Sequence, residues 1–506
     1  MGFEAIWERL QARVRDIHLL DAASDLCGWD RDVCMPPRGV AQRAALSAML
    51  ARLTHECWMD PALADQIGEA LALAGGLPAD DVRPGDLREL QRRLLRKTRL
   101  PTSLVAECAE VETLAQQVWA EARAANRFAD FAPWLARLIR LARAKADAFG
   151  TPADGEAWDA LADDYEPGVR ARELRTLFAE LVREQSSLVR RLADSGRRPD
   201  DAARHLRIPI AVQEGFVRDI ATALGFDFER GRLDRSTHPF TSGTHPDDVR
   251  ITTRFAEDDL FDALYSTVHE VGHGLYDQGL LRERAGWPSG QPASLGIHES
   301  QSRLWENHVG RSAGFWRFAA PLLERHAGNT VAIPDAGEFA RAAWVAEPSL
   351  IRVDADEATY DLHVAIRFGI EIDLLSGALA VADLPSRWND DYRRILGVEV
   401  PDDRRGCLQD VHWSAGMFGY FPTYTLGNLA AAQWMDAARE SLGDLDAAFA
   451  RGEFAGLLGW LRTHVHSQGG RFRARELLER GTGRPLSTSS FIRHVQHRFL
   501  SAYGLK

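Results

Sequence analysis

The sequence predicts a mainly α-helical protein in two lobes, with one small β segment set just before a strong helix. Three observations carry that expectation. Apolar residues recur at three- and four-residue steps along most of the chain, the period of an amphipathic helix. A single stretch, 231–255, breaks that period. At 506 residues the chain is also longer than the size at which one hydrophobic core keeps growing. Taken in order, Phe3, Ile6, Trp7, Leu10, Val14 and Ile17 draw the stripe of a first helix. Similar stripes run through 87–100, 104–149, 173–192 and 212–224, and Pro101-Thr102 reads as a break and restart. From Gly231 to Phe255 come two His-Pro steps and then alternating Val249, Ile251 and Thr253, read as a short strand or hairpin. A strong helical run, Leu260 to Gly279, follows. Later, Trp388 to Asn428 is dense in Gly, Pro and aromatics, which suits either a site wall or a buried connector. No repeat or linker-like run interrupts the chain. The two lobes are therefore expected to share one continuous framework, a single domain over 1–506.

Composition excludes several classes. Lys+Arg 61 against Asp+Glu 73 gives a net charge of −12, which argues against a protein that coats nucleic acid. Cys27, Cys34, Cys57, Cys108 and Cys407 are odd in number and scattered. They imply neither a disulfide framework nor a thiolate metal site, and reduced thiols fit a cytoplasmic location. No apolar run approaches the roughly 18 residues of a membrane span, and the charged N-terminus does not read as a signal peptide.

The chemistry lies in His269-Glu270-Val271-Gly272-His273, inside the run 260–279. Residues four apart share a helix face, so His269 and His273 can direct both imidazoles at one metal ion. Glu270 sits one step round, where it can reach a water on the metal and act as general base. Two His and one Glu at this spacing also arise by chance, so a third ligand is needed. The extended HExxHxxGxxH form is absent, because Tyr276 and Gly279 occupy its later positions. Downstream, the run from Gly296 to Asn307 reads as a second helix with two candidates, Glu299 and His298. Adjacent helical positions diverge by about 100°, so one of them is expected to bind. Glu299 is the favoured choice, since His₂Glu with an open position is a catalytic zinc pattern.

With these motifs the chain resembles the carboxypeptidase Taq family of metallopeptidases. Besides HEVGH and HESQS (His298 to Ser302), it carries His238-Pro239-Phe240, Asp248-Val249-Arg250-Ile251-Thr252, Ile351-Arg352-Val353-Asp354-Ala355-Asp356, and Gly406 to Trp413 with Gln409-Asp410 and His412-Trp413, in the family's order. Trp29-Asp30, Met35-Pro36-Pro37 and Asp164 to Gly168 are similar to its upstream marks. The resemblance implies a helical, two-lobed peptidase fold with a deep central cleft, like that of neurolysin-type enzymes, and a small sheet near the HExxH helix. It implies a homodimer and removal of single residues from peptide C-termini with broad specificity. It also implies Glu299 as the third ligand, beside His269 and His273, with zinc the first choice of ion. Chemistry alone admits Co²⁺ or Mn²⁺ at such a set.

A carboxypeptidase must hold a free α-carboxylate, a task suited to the guanidinium fork. Arg352 and Arg250 are the candidates. Each also has an ordinary reading, as an ion-pair partner of Asp354 or Asp356, and of Asp248. His238, His412 and Tyr424 are candidate hydrogen-bond donors to the oxyanion formed when water attacks the scissile carbonyl. Each equally suits a packed structural role. His308, His363, His464 and His466 carry no motif, and Cys407 shows no sign of activation. The expected protein is a metallocarboxypeptidase. The rival readings are an endo-acting oligopeptidase on the same framework and a non-catalytic peptide-binding module.

Overall fold

Ile6, Trp7, Leu10, Val14 and Ile17 all lie buried along one face of the helix Phe3–Val33, as their spacing requires. That face packs into a cluster with Leu63, Ile67, Leu87, Leu90 and Leu94, and Trp7 stacks on Trp287 at 4.1 Å. The computed structural model describes residues 2–78 and 80–506, and helices dominate them. Their contacts divide the chain into two compact units, each assembled from three stretches. One comprises Met1–Lys97, Asp200–Ala343 and Ala430–Leu486; the other comprises Thr98–Pro199, Trp344–Leu429 and Ser487–Lys506.

The stripe over 104–149 is two helices rather than one, Thr102–Ala125 and Phe128–Phe149. Asn126 at φ 55 ends the first in the left-handed conformation that Asn tolerates. The apolar period persists on both sides, so periodicity alone conceals the break. The aromatic stretch after Trp388 is also more regular than its composition suggests. The helix Leu384–Asp391 and a π-helical turn, Tyr392–Leu396, open it, and the helix Pro422–Leu442 closes it. Trp413, Phe418 and Phe421 are buried within the remainder.

Three strands form where the helical period fails: β1 (Gly231–Arg235), β2 (Thr241–His245) and β3 (Asp248–Thr253). Their order is β1-β3-β2, with β3 parallel to β1 and antiparallel to β2. The expected hairpin is thus the β2–β3 half, and this is the only sheet among the described residues. Val249 and Ile251 on β3 are fully buried, and both β3 and β2 pack on the helix Leu260–Gly279, the HEVGH helix. Asp259 caps that helix by accepting from Asp262 N. The HES helix, Leu295–Arg303, is capped by Ser294, which accepts from Ile297 N, and it runs on into a π-helical turn, Leu304–Gly310. The two helices touch at Gly272. A Cβ there would lie 2.6 Å from Ser302 Cα, so only glycine permits this approach.

Candidate active site

His269 and His273 project from one face of the HEVGH helix, with ring centroids 4.9 Å apart and planes at 82°. Glu299 reaches them from the HES helix. One ligand atom from each of the three lies within 4.8 Å of the others. Glu299 Oε2 is 3.7 Å from His269 Nε2 and 3.5 Å from His273 Nε2. Ligands held about 2.0–2.1 Å from a tetrahedral ion stand about 3.3–3.4 Å apart, so the donors present fit a zinc-sized cation. His298 does not join them. Its Nε2 is 3.0 Å from Asp277 Oδ1, and its ring stacks on His273 at 4.3 Å.

Behind these groups lies a layer that motif reading did not single out. His269 Nδ1 is 2.9 Å from Glu306 Oε2. Arg303 Nε donates to Glu299 Oε1 at 2.7 Å, and its Nη1 donates to Glu306 Oε2 at 3.3 Å. Arg311 Nη2 donates to Glu306 Oε1 at 2.8 Å. Burial alone would raise the pKa of Glu299 and Glu306, but Arg303 and the nearby histidines, with Arg311 for Glu306, hold both carboxyls well below the usual range. Burial disfavours a charged His269, yet Glu299, Glu306 and Glu270 outweigh it and push its pKa up. Such surroundings favour a cation at this point. His273 goes the other way, lowered to about 3 by burial and by His298 and His269, so it is neutral and able to act as a ligand.

Glu270 is held differently. The hydroxyl of Thr241, on β2, lies 2.6 Å from its Oε2. Among the described residues no guanidinium pairs with it, and burial raises its pKa against the opposing pull of His269 and Thr241. A carboxylate poised in this way can both take and return a proton.

The substrate candidates separate. Arg352, His412 and Tyr424 come together, all in the second unit. Arg352 is 4% exposed and pairs with neither Asp354 nor Asp356. Its Nε donates to Asp410 Oδ1 at 3.0 Å and its Nη1 to the Tyr360 hydroxyl at 2.9 Å. No described residue takes a hydrogen bond from Nη2, so this nitrogen and the second hydrogen of Nη1 leave one edge of the fork available. The guanidinium lies 5.0 Å from the Tyr424 ring centroid, and His412 Nε2 is 3.4 Å from the Tyr424 hydroxyl. Burial lowers the pKa of His412 to about 4, so at neutral pH one of its ring nitrogens is an acceptor. Asp410 also binds Arg367, through Nε at 2.7 Å. In the first unit, Arg250 spends its fork on Asp248, at 2.9 and 3.1 Å, and lies 4.3 Å from the Trp29 ring centroid. The ordinary reading therefore describes its contacts. His238 is exposed between β1 and β2, where its carbonyl accepts from the Ser236 hydroxyl.

Comparison with known proteins covers nearly the whole molecule. The family model described as carboxypeptidase Taq (M32) metallopeptidase matches residues 9–499. Thermostable carboxypeptidase 1 of Thermus thermophilus is 43% identical over 514 residues, covering 99% of each chain. Carboxypeptidase 1 of Bacillus subtilis is 34% identical over 95% of each. The crystal structure of an M32 carboxypeptidase from Deinococcus radiodurans superposes with a TM-score of 0.92 at 35% identity, covering 99% of this chain and 100% of that one.

Proposed function

As a member of the carboxypeptidase Taq (M32) family, the chain is a metal-dependent carboxypeptidase, and we propose that it releases single C-terminal amino acids from peptides with broad specificity. We assign the ion to His269, His273 and Glu299, with zinc the best match to their number and type. The observation that carries this reading is the approach of two imidazole Nε2 atoms to Glu299 Oε2, at 3.7 and 3.5 Å, beside the raised carboxyl of Glu270. When bound, such an ion polarises both a water molecule and the scissile carbonyl. Glu270 accepts the proton of the attacking water and returns it to the leaving amine, and Thr241 fixes the orientation of the carboxylate. Arg352 takes the substrate's terminal carboxylate on the free edge of its guanidinium, and Asp410 and Tyr360 hold the other side. Tyr424 and His412 are assigned the oxyanion. Arg250, whose Nε and Nη2 are bound to Asp248, is the second candidate for the substrate's terminal carboxylate, behind Arg352. The whole chain, 1–506, acts as one catalytic domain, working as a homodimer in the cytoplasm. Among the described residues no helix is long and apolar enough to cross a membrane.

Mass spectrometry of peptide digests tests the reading. A free C-terminus should yield a ladder of single-residue losses that stops on chelation and returns with zinc. The same peptides carrying a C-terminal amide should resist. Internal cleavage of amidated peptides at a comparable rate would instead establish the endo-acting alternative.

A further inference from the structure

Glu299 and Arg303 stand four residues apart on the HES helix, and Glu306 follows in the π-helical turn that continues it, where Arg303 reaches both carboxylates. The π-helical turn after Arg303 brings in Arg311 as well: its backbone N–H donates to Glu306 O, a step of five residues. We propose that Glu306 and Arg303 act as one positioning pair, fixing the His269 imidazole and the Glu299 carboxylate so that His269 Nε2 and Glu299 Oε2 converge on a single divalent cation. The proposal rests on the reading that His269, His273 and Glu299 hold the metal.

Hydrogen-bond chemistry leads to it. An ionised carboxylate can only accept, so the hydrogen between Glu306 Oε2 and His269 Nδ1, 2.9 Å apart, belongs to the imidazole. That selects the tautomer in which Nε2 carries the lone pair and faces Glu299. Arg303 does the corresponding work on the other ligand. By occupying Glu299 Oε1 it leaves Oε2 as the coordinating oxygen, and Ser302, whose hydroxyl donates to the Glu299 carbonyl at 2.7 Å, lies 3.1 Å from that oxygen. One rigid guanidinium touches both Glu299 and Glu306, so the two ligands are oriented relative to each other rather than separately. A buried ion cluster is a poor means of stabilising a fold, because apolar residues of the same volume do as well. The aim of this cluster at two ligand atoms gives it a purpose that packing does not. Outer partners of metal-bound histidines alter metal affinity about 10–100-fold when removed.

The test uses the full-length chain stripped of metal. Zinc affinity is measured by competition with a chromophoric chelator, coordination by the visible spectrum of the Co²⁺ form, and folding by the melting temperature of the apo form. His269→Ala is the control for the ligand reading and should abolish tight binding. Glu306→Leu, which removes the acceptor, should weaken zinc binding about a hundredfold and shift the Co²⁺ bands. Glu306→Gln keeps an acceptor oxygen without its charge, and Arg303→Lys keeps a charge without the fork. Each should cost about tenfold, and these two variants decide the matter should Glu306→Leu fail to fold. Zinc binding within about threefold of wild type in both, with an unchanged Co²⁺ spectrum, overturns the positioning pair. If His269→Ala binds zinc as wild type does, the ligand reading itself falls, and the pair with it.

Discussion

Gly272 sets how closely the HEVGH and HES helices approach, so Gly272→Ala perturbs the candidate site without touching any proposed ligand. The added Cβ would stand 2.6 Å from Ser302 Cα and 2.7 Å from Gln301 O, both backbone atoms that no rotamer change can move. Ordinary contact begins near 3.4 Å, so the helices must separate by about 0.8 Å at this point. Overpacking of this kind costs about 1–3 kcal/mol, and the better helix propensity of alanine returns up to about 1 kcal/mol. The melting temperature should therefore fall by only a few degrees. The consequence for the site is larger. Gly272 adjoins His273, and Ser302 lies three residues from Glu299, so the separation acts directly on the 3.5 Å spacing of the ligand atoms. A misplacement near 1 Å costs on the order of a hundredfold in rate. Turnover and zinc affinity should both drop steeply, against a control, Gly68→Ala, whose added Cβ meets nothing within 4 Å. If Gly272→Ala folds, binds zinc and cleaves peptides within about twofold of wild type, the close approach does not set the site's geometry.

Three further outcomes are expected. Glu270→Gln should retain zinc but lose nearly all turnover in a peptide-release assay, whereas Thr241→Val, which only frees the carboxylate to reorient, should lose about tenfold. Arg352→Ala should lower kcat/KM on free-carboxylate peptides about tenfold or more, for a charge-assisted contact worth about 1.5–3 kcal/mol; amidated peptides should suffer much less, and equal proportional losses would exclude the clamp. Asp410→Asn bears on pH. Arg367 and Arg352, overcoming burial, hold the folded pKa of Asp410 below its unfolded value, so its contribution to stability is present above about pH 4 and is lost as pH falls toward the folded value. The gap in melting temperature between wild type and this variant should be widest near pH 6–7 and narrow below pH 4, and a gap independent of pH would show that the carboxylate's charge contributes nothing.

What the sequence made legible was whatever is local. The i, i+4 pair His269 and His273, the first helix and the break at 231–255 each depend on neighbours within a few residues, and each is found in place. The Glu306 and Arg303 layer was readable in part, since Glu299, Arg303 and Glu306 keep helical spacing, but nothing in the spacing tells which helix their face meets. Thr241 and Asp410 were less accessible still. Thr241 meets Glu270 across 29 residues and Asp410 meets Arg352 across 58, pairings that only tertiary packing creates. The sequence offered Asp354 and Asp356 as partners for Arg352 because they are near in the chain. In the fold, Asp356 instead accepts from the backbone N–H groups of Glu347, Ala358 and Thr359. The local guess does describe Arg250, whose partner Asp248 lies two residues away on the same strand.

Three glutamates, Glu270, Glu299 and Glu306, surround the candidate metal site, and their surroundings divide the work among them. Glu299 and Glu306 each meet Arg303, and Glu306 meets Arg311 too, so both stay ionised. An ionised carboxylate with one oxygen already bound suits a ligand, and one that only accepts suits the fixing of an imidazole tautomer. Neither is fitted to carry a proton between water and amine, because the adjacent guanidinium charges resist its protonation. Glu270 alone has no guanidinium partner among the described residues, and burial raises its pKa while a single hydroxyl orients it. Groups of one chemical type driven apart in this way mark the division between acid–base and electrostatic roles. The assignment of the proton to Glu270 therefore follows from what its neighbours lack as much as from its place in the motif. Placing a cation beside it would confirm this. Thr241→Lys, which puts an ammonium within reach of Glu270, should hold the carboxylate ionised and depress turnover at neutral pH while leaving zinc bound. Undiminished turnover in that variant would contradict the account.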